Sequence, residues 1–421
     1  MKFVIYLLYR PFFIFAKSIL ILFKPLLSNK TKKWIGLRHE KTNLNFKDKK
    51  NVFCFHASSG EIEYAKSIIR ELKLLEKKST IVVTYSSPSA VKLFDNISHL
   101  VDAFIPIPWD QPNPLRLLIF QLNPRAFIFA RTDLWPELIF QLSLNKIPTF
   151  VASFNPSLTF LNRLFNLVFL NHFSGIFCTH IQQASALKTN LSTSIHISAP
   201  GDTRFDQVFW RLAQPSQVLF SLDFNYAVLG STWPEDEIHF IPILKSIIDQ
   251  NCKIFWCPHE VGPENIQRIE SILTEHNLNH QRFSNIFSNS TASLGEVIIV
   301  DQIGYLADLY RNASWAFVGG SFKAKVHSVM EPLCCAIPVI TGPHIQNSPE
   351  ALRYSQIIIN DIRIVQVVHD SEEFLTALVQ LKSLQLKDFK KILIGHLEQN
   401  RNASSACARI ILERTQEILN S

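Results

Sequence analysis

Apolar positions along this chain follow two rhythms. Short continuous runs such as Val52–Phe53–Cys54–Phe55 predict buried strands, and stretches with apolar residues three and four apart predict amphipathic helices. The clearest join of the two lies at residues 51–78. The run Asn51–His56 reads as a strand, Ser58, Ser59 and Gly60 break it, and Ile62, Ala65, Ile68, Ile69, Leu72 and Leu75 then mark one face of a helix. The same alternation recurs through Thr80–Ser86, Phe104–Pro108, Ala126–Arg131, Pro148–Phe154, Gly175–His180 and Ile195–Ala199, with helical segments between them, including one over residues 157–173. A second series begins at Tyr226–Leu229 and continues through Lys253–Cys257, Glu296–Val300, Trp315–Gly319 and Pro338–Thr341; from Ser371 to Ser421 the pattern is helical only. Strand–helix alternation of this kind predicts doubly wound parallel sheets. The expected fold is α/β, with a Rossmann-like domain over 36–210, a second over 211–421, and a cleft between them.

The first 35 residues follow another pattern. Residues 3–27 are strongly apolar but are interrupted by Arg10, Pro11, Lys17, Lys24 and Pro25. The uncharged runs fall short of the ~20 residues of a membrane span. The cations recur every seven residues, which suits a helix in a membrane interface with its cations toward anionic head groups; an oblique span stays open.

Charge sharpens this picture. Residues 1–50 hold twelve Lys and Arg against Glu40 and Asp48, a net of +10; the whole chain is +7, so the remainder carries −3. The basic character belongs to the N-terminal segment, not to a nucleic-acid-binding surface. Seven scattered cysteines without a CxxC pair point to a reducing compartment. His276 and His280 have HxxxH spacing but lack the adjacent Glu of a zinc-protease helix, and no metal site is read.

Candidate chemistry gathers where strands end. Glu61 opens the helix after the first strand, at the carboxyl edge where open α/β sheets bind ligands. The helix N-terminus favours its ionised form, as a general base requires. Arg131 and Asp133 end another strand on that edge, and Arg204 follows the last strand of the series. In the second half, Ser231 and Thr232, His259, and Gly319–Gly320–Ser321 with His327 follow strands, while Glu331 opens a later helix. The glycines let backbone amides approach a phosphate, Ser231, Thr232 and Ser321 offer hydroxyls, Lys323 and Lys325 offer charge, and Glu331 suits a ribose diol. Taken singly, His259 and His327 are more often structural.

In order, HASSGE, RTDLWPEL, GDTRFD, GSTWPEDE, PHE, DQIGYLADLY, FVGGSF, HSVMEP and GPHIQNSPE resemble the 3-deoxy-D-manno-octulosonic acid (Kdo) transferases over roughly residues 50–350. The resemblance implies a GT-B fold and inverting, metal-independent transfer of Kdo from CMP-Kdo to lipid A precursor in lipopolysaccharide biosynthesis, with no cofactor. It implies that Glu61 is the base, that His259 lies in the nucleotide-phosphate turn, that Gly320, Ser321 and His327 form the donor loop, and that Glu331 holds the ribose. The basic N-terminus resembles the family's anchor at the cytoplasmic face of the inner membrane. Three departures stand out. Arg131–Thr132–Asp133 replaces a common Glu-Thr-Glu, Pro258 stands where an Arg often precedes the His, and the first turn is one residue shorter. The Arg's work then falls to Lys323, Lys325 or Arg204. Alternatives are another GT-B enzyme using a UDP- or GDP-sugar, and a catalytically silent membrane scaffold; a Rossmann dehydrogenase is disfavoured because no GxGxxG follows a strand.

Overall fold

The computed structural model describes residues 2–39, 46, 49, 51–155, 168–218, 224–249, 251–288, 294–382 and 384–420. Most of the helix expected over 157–173 therefore lies outside the described residues. The chain divides into two compact units, one of residues 1–207 with 400–421 and one of 208–399.

In the first unit, β1 (Val52–Ala57), β2 (Thr80–Tyr85), β3 (Ala103–Pro106), β4 (Ala126–Ala130), β5 (Thr149–Phe154), β6 (Gly175–Cys178) and β7 (His196–Ser198) form a sheet in the order β3-β2-β1-β4-β5-β6-β7. Every pairing is parallel, with Val52 opposite Thr80 and Phe53 opposite Ala126. A sheet covered on both faces needs strands apolar throughout, and β1, β2, β4 and β5 are buried at every residue. The chain leaves β1 for β2 on one side and reaches β4 on the other, so the order reverses between β1 and β4. A crevice opens at the carboxyl ends of such strands.

Helices α1 (Lys2–Leu22), α2 (Asn29–Leu37), α3 (Ile62–Leu75), α4 (Pro112–Leu122) and α5 (Pro136–Leu144) precede β5 in the chain. The sequence places the last helix, Ala403–Asn420, with the second domain, whereas the structure assigns it to the first unit. Cys407, Ala408 and Ile411 are buried in the same core as Ile62, Ala65 and Ile69 of α3. Ser404 Oγ donates to Ser67 Oγ at 2.7 Å, and Asp206 accepts the N–H groups of Asn402 and Ser404. Periodicity marks an apolar helical face but not the sheet it covers.

The cations of α1 are also used differently from the expectation. Arg10 makes a bidentate pair with buried Glu137 of α5, at 2.8 and 2.9 Å, and Lys17 donates to Gln111 at 2.7 Å. Arg10 faces the protein because a buried carboxylate requires a partner. Phe12, Phe15, Leu22 and Leu26 are left exposed, at 68, 66, 73 and 81%. Among the described residues, no helix is long and apolar enough to cross a membrane.

The second unit repeats the architecture. β8 (Tyr226–Thr232), β9 (Lys253–Pro258), β10 (His280–Arg282), β11 (Val297–Ile299), β12 (Trp315–Val318), β13 (Val339–Thr341), β14 (Ile358–Ile359), β15 (Ile362–Arg363) and β16 (Val365–Val367) follow in order. The main sheet runs β10-β11-β9-β8-β12-β13-β16, all parallel, and β14 and β15 form a small hairpin. Its order reverses between β8 and β12. The helix after β8 starts at Pro234, because proline is suited to the first helical position. It turns 3₁₀ at Ile241–Ile243, around Pro242, before resuming at Leu244.

Candidate active site

Both switch points carry the polar residues singled out in the sequence. In the first unit, Glu61 is the N-cap of α3, and its Oε2 accepts the N–H of Ser59 at 3.1 Å. That bond folds the carboxylate back over the turn, half-exposed. The turn is tied to the one after β2 through hydroxyls, with Ser59 Oγ 2.8 Å from Ser89 Oγ and Ser58 Oγ 2.9 Å from Ser86 Oγ.

Asp133 does not stand beside Glu61 as a second free acid. Its Oδ2 lies 3.1 Å from Nε2 of wholly buried His56, and its Oδ1 accepts the indole N–H of Trp135 at 3.1 Å. Ser86 Oγ also donates to it, at 3.3 Å. Burial pushes the Asp133 carboxyl up, but the hydrogen bond and charge of His56, with the Trp135 and Ser86 donors, outweigh burial and hold it below its ordinary value. His56 Nδ1 in turn meets Thr84 Oγ1 at 2.9 Å. The strand run conceals this pair, because a histidine inside a hydrophobic stretch carries no spacing signal.

Arg131 and Arg204, remote in sequence, meet over one ring. Their guanidinium carbons lie 5.1 and 5.8 Å from the centroid of Tyr64, in the first turn of α3 after Glu61. Arg131 holds φ at 62°, a left-handed conformation unusual for its type. These cations therefore flank the helix that Glu61 opens.

In the second unit the glycine loop differs from the sequence expectation. The N–H of Gly319 is bonded to Gly230 O at 2.9 Å, and that of Gly320 to Asp236 Oδ2 at 2.7 Å. Those amides are occupied by the protein itself. Gly320 is required for space and conformation: its φ is +90°, and a Cβ there would come within 2.5 Å of Lys325 O. Ser321 is also structural, since its buried hydroxyl accepts the N–H of Gly342 at 2.6 Å and lies 2.9 Å from Thr341 Oγ1. Thr232 accepts the indole N–H of Trp256 at 3.0 Å. Ser231, at φ 56°, keeps its hydroxyl without a protein partner among the described residues.

Asp236 organises this loop. It is fully buried and accepts the N–H groups of Trp233, Gly320 and Phe322 at 2.9, 2.7 and 3.2 Å. Its legible signal was an acid at the third position of a helix begun by Trp-Pro.

The aromatic groups above the loop form a stack. His259 lies 4.6 Å from the Trp233 ring and 4.5 Å from the His327 ring, stacked nearly parallel to the latter at 14°. Lys323 Nζ sits 3.7 Å above Trp233 and 3.4 Å from Glu235 Oε1, and Lys325 is exposed beside His327. Burial, with the nearby His259 and Lys325, lowers the His327 pKa to about 4; burial likewise lowers that of His259. Both shifts favour the neutral ring. Glu331 opens the short helix Met330–Cys334, and its charge acts on Tyr310, whose hydroxyl occupies the space over Gly230. Among the described residues, no group of three His, Cys, Asp or Glu side chains is arranged to hold a metal ion.

Two doubly wound parallel sheets with polar groups at both switch points define a GT-B fold. The fold is similar to UDP-N-acetylglucosamine 2-epimerase from Listeria monocytogenes (TM-score 0.61, 10% identity, 87% of this chain and 97% of that one) and to MurG from Acinetobacter baumannii (TM-score 0.51, 9% identity, 86% and 99%). Residues 32–207 match the family model described as 3-Deoxy-D-manno-octulosonic-acid transferase (kdotransferase). Curated 3-deoxy-D-manno-octulosonic acid transferases from Chlamydophila psittaci (27% identity, 82% of each chain) and Haemophilus influenzae (27% identity, 72% of this chain and 73% of that one) are similar along most of their length. These matches support the Kdo transferase family.

Proposed function

We propose that the protein transfers Kdo from CMP-Kdo to the lipid A precursor lipid IVA, with inversion and without a metal, at the cytoplasmic face of the inner membrane. The observation that carries this reading is Glu61, a half-exposed carboxylate at the unit-one switch point, steered by the Ser59 amide and flanked by Arg131 and Arg204. Glu61 takes the proton of the acceptor hydroxyl as its oxygen bonds to the anomeric carbon of Kdo. The bond from that carbon to the CMP phosphate breaks, and its electron pair leaves with CMP. Attack opposite the leaving group inverts the centre. A single departing phosphate is stabilised by N–H donors and cations, the work assigned to His259, His327, Lys323 and Lys325. Glu331 accepts the ribose hydroxyls.

The exposed apolar side of α1, with exposed Lys24, Lys30 and Lys33 nearby, supports attachment to an anionic bilayer, where the phosphorylated acceptor resides. The test is transfer from CMP-Kdo to lipid IVA by the full chain in chelator, with products resolved by mass and the new linkage assigned by NMR. One or more Kdo increments in the inverted configuration are expected. Folded protein that binds UDP- or GDP-sugars but not CMP overturns the donor, and CMP binding without transfer to lipid IVA overturns the acceptor.

A further inference from the structure

The Trp233 indole donates its Nε1–H to Nε2 of His327 at 3.0 Å. An indole nitrogen only donates, so the Nε2 lone pair is occupied and the proton of the neutral ring resides on Nδ1. We propose that Trp233 is a positioning residue that locks His327 as the Nδ1–H tautomer, so that the second unit presents a neutral N–H donor to the phosphate of the donor nucleotide. The nucleotide part rests on the function proposed above; the tautomer lock stands on the Trp233–His327 geometry alone.

The ring has little freedom to choose otherwise. One face stacks on His259 at 4.5 Å, and His259 also stacks on Trp233, so the three rings brace one another. The Nε2 edge packs against Gly320, where a Cβ would lie 2.9 Å from Cδ2 and 3.1 Å from Nε2. Among the described residues, nothing accepts the Nδ1–H, and this nitrogen is not among the buried unpartnered atoms, so the donor is open to a ligand. The charged and titratable groups around it are His259 on its face, Lys325 on its own loop, Lys323 over Trp233 paired with Glu235, and Asp236 beneath the loop bonded to Gly320 N. Two lysines already supply positive charge there. A protonated His327 would carry N–H on both nitrogens and forfeit the Trp233 bond.

The test is ¹⁵N NMR of the full chain with labelled histidine, using H327Q to assign the resonance. Wild type is expected to show protonated Nδ1 and bare Nε2 throughout pH 8 to 5. W233F is expected to move proton density to Nε2 and bring the titration into that range. Wild type protonated at Nε2, or an unchanged tautomer in W233F, overturns the lock. For CMP binding, H327N sets an amide at the Nδ1 position and is expected to stay within about threefold of wild type. H327Q, which sets it at the Nε2 position, and H327A fall about tenfold, the worth of one lost hydrogen bond. Equal binding by H327N and H327Q overturns the donor role. If wild type shows the tautomer but does not bind CMP, the nucleotide reading fails and the lock stands.

Discussion

Asp236 accepts the N–H of Gly320 at 2.7 Å across 84 residues of chain, fixing the turn after β8 to the loop after β12. The carboxylate serves two further amides, so Asp236→Asn presents an NH₂ group to three N–H donors for which one amide oxygen is too few. The expected cost is about 2 kcal/mol. CMP affinity, read by calorimetry, is expected to fall more than tenfold because the loop carrying His327 loses its tie. Unchanged affinity in the folded variant refutes this role.

Glu61→Gln keeps the shape of the turn and removes the base. Turnover is expected to drop about 10²- to 10⁴-fold, with CMP affinity within twofold of wild type. Steady-state kinetics and calorimetry separate the two effects. Near-normal turnover removes Glu61 from the mechanism.

Asp133 is held below its ordinary pKa in the folded state despite its burial. A carboxylate of depressed pKa stabilises the fold above its unfolded pKa of about 4. That contribution disappears as pH falls through the lower folded value. Asp133→Asn is therefore expected to cost about 1 to 2 kcal/mol at pH 7, and the gap from wild type is expected to close below pH 4. Urea midpoints at pH 7, 5 and 3 measure this, and a pH-independent gap contradicts it.

Arg10 and Glu137 hold α1 against the first unit. Arg10→Ala leaves a carboxylate with 0% side-chain exposure without its cation, a loss of about 3 kcal/mol. Limited trypsin digestion is expected to cleave after Lys17 much faster than in wild type. In the R10A/E137Q double variant, which removes both charges, part of this protection returns. No recovery in the double variant contradicts the pairing account.

Phe12, Phe15 and Leu22 are expected to enter a bilayer interface. Replacing all three with Ser is expected to lower partitioning onto anionic vesicles by more than tenfold, since each large apolar side chain contributes about 2 kcal/mol when buried. Replacing Lys24, Lys30 and Lys33 with Gln is expected to lower binding to anionic vesicles and leave neutral vesicles unaffected. Flotation assays distinguish the two, and equal flotation by the Ser variant contradicts the assignment.

Much of this organisation was readable before any coordinates. The apolar runs of β1, β2, β4 and β5 announce strands buried on both faces, and Glu61 is recognisable as the acid that opens α3. Other strands left weaker traces. β10, β14, β15 and β16 are two or three residues long, too short for a period to register. Gly320 and Ser321 were found as a loop, but their amide and hydroxyl turn out to be used by Asp236 and Gly342.

By itself, the sequence determined where strands and helices form and which residues open them, because periodicity and helix-start chemistry act over neighbouring residues. The tertiary structure alone decided which polar groups face one another. His56 and Asp133, Arg131 and Arg204 over Tyr64, and Trp233 with His327 are joined by parallel crossovers that bring distant strand ends to one edge. Their partners are separated by whole strand–helix units, so no local pattern in the chain records the contact.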